Sequence, residues 1–257
     1  MLYEKAGSWR NSRASWNATI GARRFCAVAG VGVSAVVPSW GAAAHFLFSA
    51  LVCVNPNDPA GAAGTLIYAL PSILNPLSCQ AVFGNNGPVE LELGSGDGTF
   101  IVDWAARNPA RNFLAVERLL GRLRKIDRKG RRQGLGNLRA LRIEAAYLME
   151  YLVPESSLAA LHIYFPDPWP KRRHWRRRLI NERFATFAAR ALAPDGLVYL
   201  RTDDRDYFEQ MCSVFGNNAA FGPSETPAEL AAVLTDFERD FLARGIETRR
   251  AAYKKGS

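Results

Sequence analysis

The stretch VELELGSGDGTF, Val89 to Phe100, decides the fold. Its first five residues are typical of a short buried strand, and they are followed by Gly94, Gly96 and Gly98 and then by a helix start. Glycine permits positive φ and lets a ligand approach the backbone closely. In open α/β sheets, ligands bind at the carboxyl ends of the strands. The stretch therefore predicts a strand–loop–helix unit with a ligand at the loop.

The spacing of the glycines indicates which ligand. A dinucleotide loop, G-x-G-x-x-G, needs a glycine where this chain has Thr99. The acid Glu92 precedes the loop and would repel a pyrophosphate, but it suits the sulfonium and ammonium of S-adenosylmethionine. A second acid, Glu117, follows about 20 residues after the loop, where a carboxylate meets ribose hydroxyls. We therefore expect S-adenosylmethionine, and the alternative is a glycine turn that only links strand to helix.

From Pro88 onward, short apolar runs alternate with longer helical ones. The predicted strands are Val89–Leu93, Asn112–Glu117, Leu138–Ile143, Leu158–Phe165 and Leu197–Thr202. The predicted helices are Phe100–Arg107, Leu119–Arg132, Arg178–Leu192 and Asp204–Phe215, with a turn at Ala193–Gly196. This alternation predicts an α/β fold with a mostly parallel sheet and helices on both faces. Glu144, after the third strand, is either an adenine contact or an exposed strand-end acid.

The fourth predicted strand runs into YFPDPWP, Tyr164 to Pro170. Three prolines fix φ and remove backbone donors, so the loop is stiff. Phe165 and Trp169 can wall a slot for a flat ring, with Asp167 as its only anionic group. Such loops are typical of methyltransferases that act on planar nitrogen centres. The alternative is a structural loop without a ligand.

The chain is basic, with a net charge of +9 and a pI near 9.7, which favours an anionic partner such as nucleic acid. One cationic run, Lys171 to Arg178, follows the proline-rich loop directly. A second lies on the predicted helix after Glu117 and comprises Arg118, Arg122, Arg124, Lys125, Arg128, Lys129, Arg131 and Arg132. We expect these surfaces to bind RNA phosphates; the alternative is a solvated charged helix.

Residues 1–76 differ from the rest, because Asp58 is the only charged residue between Arg24 and Glu90. The apolar piece Phe25–Val54 is long enough for a membrane span. The alternatives are a cleaved signal or transit segment and a misplaced start, of which we favour the misplaced start, and we expect a methyltransferase domain over 77–257. The flanking positive charges argue against a membrane span.

The four cysteines form no C-x-x-C pair and the three histidines lie far apart. We therefore expect free thiols in a cytoplasmic protein and no metal.

Five segments resemble the bacterial tRNA (guanine-N7-)-methyltransferases: ELGSGDG, FLAVE, YFPDPWPKRRHWRRRL, RTDDRDYFEQM and TDFERDF. The resemblance covers about Phe83 to Lys255. It implies a Rossmann-like class I methyltransferase fold with an antiparallel C-terminal strand. It further implies S-adenosylmethionine as donor and guanine 46 of tRNA as acceptor.

The resemblance also assigns residues. Donor-binding acids fall on Glu92, Glu117, Asp167 and Glu144, the last replacing an Asp of the family. Substrate-binding positions fall on Lys171, Asp203, Thr235, Asp236, Phe237 and Glu238. The neighbouring cations Arg172, Arg173, Arg176 and Arg177 are expected to contact tRNA phosphates.

Guanine N7 has a free in-plane lone pair, so no catalytic base is needed, and positioning supplies most of the catalysis. Asp167 is the predicted catalytic residue, because a carboxylate stabilises the charge that moves onto the base. Asp203 or Glu238 would hold the Watson–Crick edge beside Thr235, and Lys171 would hold a phosphate. The alternatives are methyl transfer to another RNA or DNA nitrogen, and a non-catalytic tRNA-binding subunit with the same fold.

Overall fold

A seven-stranded sheet in the order β3-β2-β1-β4-β5-β7-β6 organises residues 64–256, the part of the chain that the computed structural model describes. The strands are β1 Val89–Leu93, β2 Asn112–Val116, β3 Leu138–Leu141, β4 Leu158–Tyr164, β5 Leu192–Thr202, β6 Phe221–Ser224 and β7 Arg249–Lys255. Strands β1 to β5 are parallel, and β7 pairs antiparallel with both β5 and β6. The predicted fold, including its antiparallel C-terminal strand, is confirmed.

The helices are α1 Cys79–Phe83, α2 Thr99–Arg107, α3 Leu120–Arg132, α4 Ala145–Tyr147, α5 Glu182–Ala191, α6 Arg205–Gly216, α7 Ala228–Ala231 and α8 Asp236–Ala243. A π-helical turn, Leu148–Leu152, continues α4, and a 3-10 helix spans Arg172–Arg177. The helices α2, α3 and α6 lie within one or two residues of their predicted bounds.

Two predicted boundaries after β4 are wrong. The helix predicted from Arg178 begins at Glu182, because the Asn181 side chain accepts from the Phe184 amide and caps it there. The turn predicted at Ala193–Gly196 lies inside β5, where the pairing with β4 shifts register and Asp195 has φ 61°. An irregular strand start thus replaces a separate turn.

The central strands are apolar because helices cover both faces of the sheet. Every residue of β1 and β2 is buried, as expected for parallel strands with two covered faces. One core cluster packs α5 and α6 on one face, and the other packs α2 and α3 on the opposite face. This arrangement sends the loops after β1, β2, β4 and β5 to one edge of the sheet.

Residues just before the predicted domain boundary at Leu77 already contact the sheet. The Ala140 amide donates to the Leu66 carbonyl and the Tyr68 amide to the Ala140 carbonyl, both at 2.8 Å. The boundary itself stays a prediction. The predictions for Phe25–Val54 lie outside the described residues. Within 64–256, no helix is both long and apolar enough to cross a membrane.

Candidate active site

The glycine loop after β1 is open on one side and packed on the other. Gly94, Gly96 and Gly98 have φ of 77°, 56° and 82°, so all three occupy the left-handed region. A Cβ added at Gly94 or Gly96 would meet no atom within 4 Å, whereas at Gly98 it would lie 2.7 Å from Ile126 Cγ1. The first two glycines therefore leave room for a ligand, and the third allows close packing on α3.

Glu92 is a buried acid without a full set of partners. Its side chain is 3% exposed, and its Oε2 atom has no hydrogen-bond partner. Burial raises the pKa of Glu92 to about 8, although Ser95 and Arg201 oppose the rise. A buried polar atom normally finds a partner, so an unpaired carboxylate oxygen beside an open loop fits a cationic ligand. The site thus suits the ammonium or sulfonium of S-adenosylmethionine.

Glu117 shapes the same loop from the end of β2. Its Oε2 accepts from the Gly96 amide at 3.1 Å and its Oε1 from the Leu119 amide at 2.7 Å. Each carboxylate oxygen has two acceptor sites, so both can still accept from a ribose hydroxyl. Glu144 is exposed and caps α4 by accepting from the Tyr147 amide at 2.8 Å. The predicted ribose and adenine contacts of these acids stay predictions.

The proline-rich loop after β4 is strained and lies at the same edge as the glycine loop. Phe165 and Trp169 have φ of 51° and 44°, values that bulky residues rarely adopt. Asp167 between them is exposed. Because β4 pairs in parallel with β1 and β5, Asp167 and the exposed Asp203 after β5 follow strand ends beside the glycine loop.

The cationic run after this loop is stacked on aromatic rings. The Arg177 guanidinium lies 5.0 Å from the Trp169 ring centre, and Arg172 lies 5.6 Å from that of Trp175. Arg178 differs because it is buried and donates to Pro168, Asp206 and Gln210. Arg178 thus fixes the end of the cationic run to the proline-rich loop and to α6. The cations that remain exposed are Lys171, Arg172, Arg173, Arg176 and Arg177.

The predicted substrate segment Thr235–Glu238 forms the first turn of α8. Thr235 and Glu238 make a reciprocal capping box. Glu238 is fully buried, and its two oxygens accept from Arg201 and Arg250, both at 2.8 Å. In this arrangement Glu238 holds the segment in place, and a direct contact with a base stays a prediction.

The other two residues of that turn face the predicted site. Asp236 accepts from the Thr99 hydroxyl at 2.8 Å, next to the glycine loop. Phe237 is 52% exposed and lies against Phe165, with ring centres 5.7 Å apart. The structure therefore brings the TDFE segment, the glycine loop and the proline-rich loop together.

Sequence reasoning missed a buried polar cluster under this edge. Glu90 accepts from Trp104 at 2.8 Å and Arg111 at 2.6 Å, and lies 2.9 Å from His162 Nε2. His162 Nδ1 lies 2.8 Å from the Tyr164 hydroxyl. A charged residue inside an apolar strand is the signal that would have revealed Glu90, and also Arg201 in β5. Within 64–256, no three metal-ligating side chains group together.

The strand order, the reversed β7 and the open glycine loop define an α/β protein of the class I methyltransferase fold. Among solved structures, the 16S rRNA methyltransferase KamB shares this fold, with a TM-score of 0.50 and 19% identity, covering 70% of this chain and 95% of that one.

Sequence comparisons identify the family. Residues 86–251 match the family described as "Putative methyltransferase". A tRNA (guanine-N(7)-)-methyltransferase of Syntrophotalea carbinolica is 36% identical over 68% of this chain and 77% of its own length. One of Geobacter metallireducens is 38% identical over 70% and 88%, respectively. The chain belongs to the tRNA (guanine-N(7)-)-methyltransferase family, so the predicted family and enzyme class are confirmed.

Proposed function

We propose that this protein transfers a methyl group from S-adenosylmethionine to N7 of guanine 46 in tRNA. The observation that carries the proposal is the unpaired buried oxygen of Glu92 beside the open glycines, at the sheet edge where Asp167 follows β4. Family membership supports the same reaction.

The donor side is formed by the ends of β1 and β2. When bound, S-adenosylmethionine supplies an electrophilic methyl group on a sulfonium. Glu92 offers its free oxygen to the cationic part of the donor, and Glu117 offers its remaining lone pairs to ribose hydroxyls. Gly94 and Gly96 let the donor approach the backbone. Glu144 would contact the adenine with the same carboxylate that caps α4, because that carboxylate already accepts from the Tyr147 amide.

The acceptor side lies between the loops after β4 and β5. Phe165 and Trp169 wall a slot for the flat base, and the exposed Asp167 stabilises the positive charge that develops on the guanine. Asp203 and Thr235 hold its Watson–Crick edge by hydrogen bonds. Asp203 suits this role better than Glu238, because it is exposed and Glu238 is buried with its oxygens paired.

The tRNA backbone is held by the exposed cations that follow the slot. Lys171, Arg172, Arg173, Arg176 and Arg177 are exposed, and stacking on tryptophans restricts two of these arginines before RNA arrives. Arg122, in the first turn of α3, lies at the same sheet edge, because α3 begins directly after β2. We expect tRNA affinity to fall steeply with salt, as phosphate contacts require. A tRNA substrate also fits a cytoplasmic protein.

The test is mass spectrometry of nucleosides and of ribonuclease fragments from unmodified tRNA incubated with protein and donor; the nucleosides should include 7-methylguanosine, and the fragments should locate it at one position. Asp167→Asn should lower kcat by roughly 100-fold, as expected for loss of a group that stabilises charge. Asp195→Asn is the matched control, because Asp195 is exposed at the opposite end of β5.

Two outcomes would reject the proposed reaction, and a third would reject the role of Asp167. A different methylated nucleoside would favour transfer to another nitrogen. Tight tRNA binding without any methylation would favour the non-catalytic subunit. Equal kcat for the Asp167 and Asp195 variants would remove Asp167 from its catalytic role.

A further inference from the structure

The first turn of α8 is attached to three separate parts of the molecule. Glu238 is bonded to Arg201 in β5 and Arg250 in β7. Phe237 packs on Phe165 in the proline-rich loop. Asp236 is bonded to Thr99, which begins α2 directly after the glycine loop. One helical turn therefore contacts both the proline-rich loop and the start of α2 beside the glycine loop.

The contact at Thr99 is a small polar cluster. Lys129 Nζ on α3 donates to Asp97 Oδ2 and to the Thr99 hydroxyl oxygen, both at 2.7 Å. The Thr99 hydroxyl lies 2.9 Å from Asp97 Oδ1 and 2.8 Å from Asp236 Oδ2. A hydroxyl has one proton, so Thr99 shares it between an acid of the glycine loop and an acid of α8.

Charge explains why two acids can face one hydroxyl. Lys129 and Asp97 form an ion pair at 2.7 Å, which offsets one of the two negative charges. Asp236 is also paired on its outer side with Arg239 at 3.1 Å, an exposed contact. The cluster therefore holds α8 against the glycine loop without leaving an uncompensated acid beside it.

The buried side of α8 fixes the direction of this contact. Arg201 donates to the Val233 and Leu230 carbonyls as well as to Glu238, so the chain before α8 is held from below. Because these bonds fix the buried side of α8, the position of its first turn relative to the glycine loop depends on the hydrogen bond between Asp236 and Thr99.

We propose that Thr99, Asp97 and Lys129 are positioning residues that hold the segment Thr235–Phe237 against the glycine loop through Asp236. We call this contact between Asp236 and Thr99 the latch. The latch sets Phe237 against Phe165 and so sets one wall of the slot for the base. Asp236 therefore acts through Thr99 and does not itself hold the tRNA. This inference rests on the proposed function for its substrate, because the segment it positions is the one assigned to guanine.

The kinetic test is a double-mutant cycle. Thr99→Val and Asp236→Ala should each lower kcat/KM for tRNA about tenfold, the size expected for one hydrogen bond to a charged group. The double variant should also lose about tenfold, because both changes break the same contact. Thr99→Ser should stay near wild type. Donor affinity by calorimetry should change less than about threefold in Asp236→Ala.

Two controls separate the latch from general effects. Thr186→Val removes an exposed threonine hydroxyl on α5, and Arg244→Ala breaks an exposed ion pair with Asp240 at the far end of α8. Both should keep kcat/KM near wild type. A roughly hundredfold loss in the double variant would show independent roles and would overturn the latch.

A second measurement does not depend on activity. Hydrogen exchange of the α8 amides in the ligand-free protein should speed up in Thr99→Val and Asp236→Ala but not in the controls. Unchanged exchange would overturn the latch, even if kcat/KM fell. If the wild type methylated no tRNA, the proposed function would fail, while the exchange experiment would still decide the latch.

Discussion

Two acids of β1, Glu90 and Glu92, are separated only by Leu91 and point to the same face of the sheet, yet they have opposite surroundings. Both are almost fully buried. Burial alone would raise the pKa of Glu90, but hydrogen bonds from His162, Trp104 and Arg111 outweigh it and lower the pKa to about 2. Burial raises the pKa of Glu92 to about 8.

The difference distinguishes a structural acid from an acid that binds a ligand. All the partners of Glu90 are supplied by the chain itself, so removing it leaves other buried groups unpaired. Glu92 lies nearer the carboxyl end of the strand and keeps one oxygen unpaired. The ligand-free fold is therefore stabilised by the first acid and destabilised by ionisation of the second.

Replacing Glu90 should have the largest effect. Glu90→Ala should lower the free energy of unfolding by about 3–5 kcal/mol, because it leaves a buried ionic cluster without one partner. Chemical denaturation measures this loss, and Glu90→Gln, which should lose less, serves if the alanine variant fails to fold. Donor affinity of the folded fraction should be unchanged. A loss below about 1 kcal/mol would contradict a structural role.

Glu92→Gln should weaken donor binding and leave the stability of the ligand-free protein intact, the reverse of Glu90→Ala. Donor affinity should fall by about 2–3 kcal/mol, the value of a hydrogen bond to a charged group, measured by titration calorimetry. The free energy of unfolding of the ligand-free protein should not decrease, because the variant removes an acid whose ionised form is unpaired. A donor affinity equal to that of wild type would mean that the free oxygen faces no cation.

The two acids should make opposite contributions to the pH dependence of the free energy of unfolding. The raised pKa of Glu92 means that the ligand-free protein loses stability as pH rises from about 4.5 to about 8. The lowered pKa of Glu90 contributes stability that is present above about 4.5 and is lost as pH falls toward about 2.

Ionised Glu92 pairs with the donor, so donor affinity should rise with pH up to about 8, by at most about tenfold per unit. Calorimetry at pH 6, 7 and 8 tests this rise, and Glu92→Gln should flatten it. A rise of the same size in that variant would assign the pH dependence to the donor itself.

Arg111→Ala should have the smallest effect of these changes. Arg111 is half exposed, so its pair with Glu90 is worth about 1 kcal/mol or less to the free energy of unfolding. Thermal unfolding of Arg111→Ala and Glu90→Ala under the same conditions would measure the difference between their losses of stability. A loss as large as that of Glu90→Ala would mean that the outer ion pair, and not His162 or Trp104, holds the cluster.

The fold could be predicted because its strands are short apolar runs separated by helices. Buried parallel strands have no polar face, so β1 is recovered at its observed bounds and β2 within one residue. The glycine loop and Glu92 could be predicted because their chemistry lies within one continuous stretch. The strand β6, Phe221–Ser224, was missed because it is short and contains Gly222 and Pro223.

The latch could not be predicted, because Thr99 and Asp236 are 137 residues apart and neither has a distinctive pattern. The role of Glu238 in the fold was partly readable. Thr235-Asp236-Phe237-Glu238 matches a capping box, which predicts a helix start, and the same four residues carry the substrate positions that the family resemblance implies. The burial of Glu238 depends on Arg201 and Arg250 and follows only from the tertiary structure.

The positive φ angles of Phe165 and Trp169 carry an evolutionary consequence. Glycine at Trp169 would relieve backbone strain of about 1 kcal/mol or more and lose only the ring contacts with Arg177 and His174, so selection for thermal stability alone should favour it there. At Phe165 it would also remove the packing on Phe237, which opposes the gain. Selection for methylation should keep the aromatic rings, since glycine cannot wall the slot. Sequences recovered from one variant library under the two selections would therefore diverge first at Trp169, which would reveal a trade-off between stability and activity.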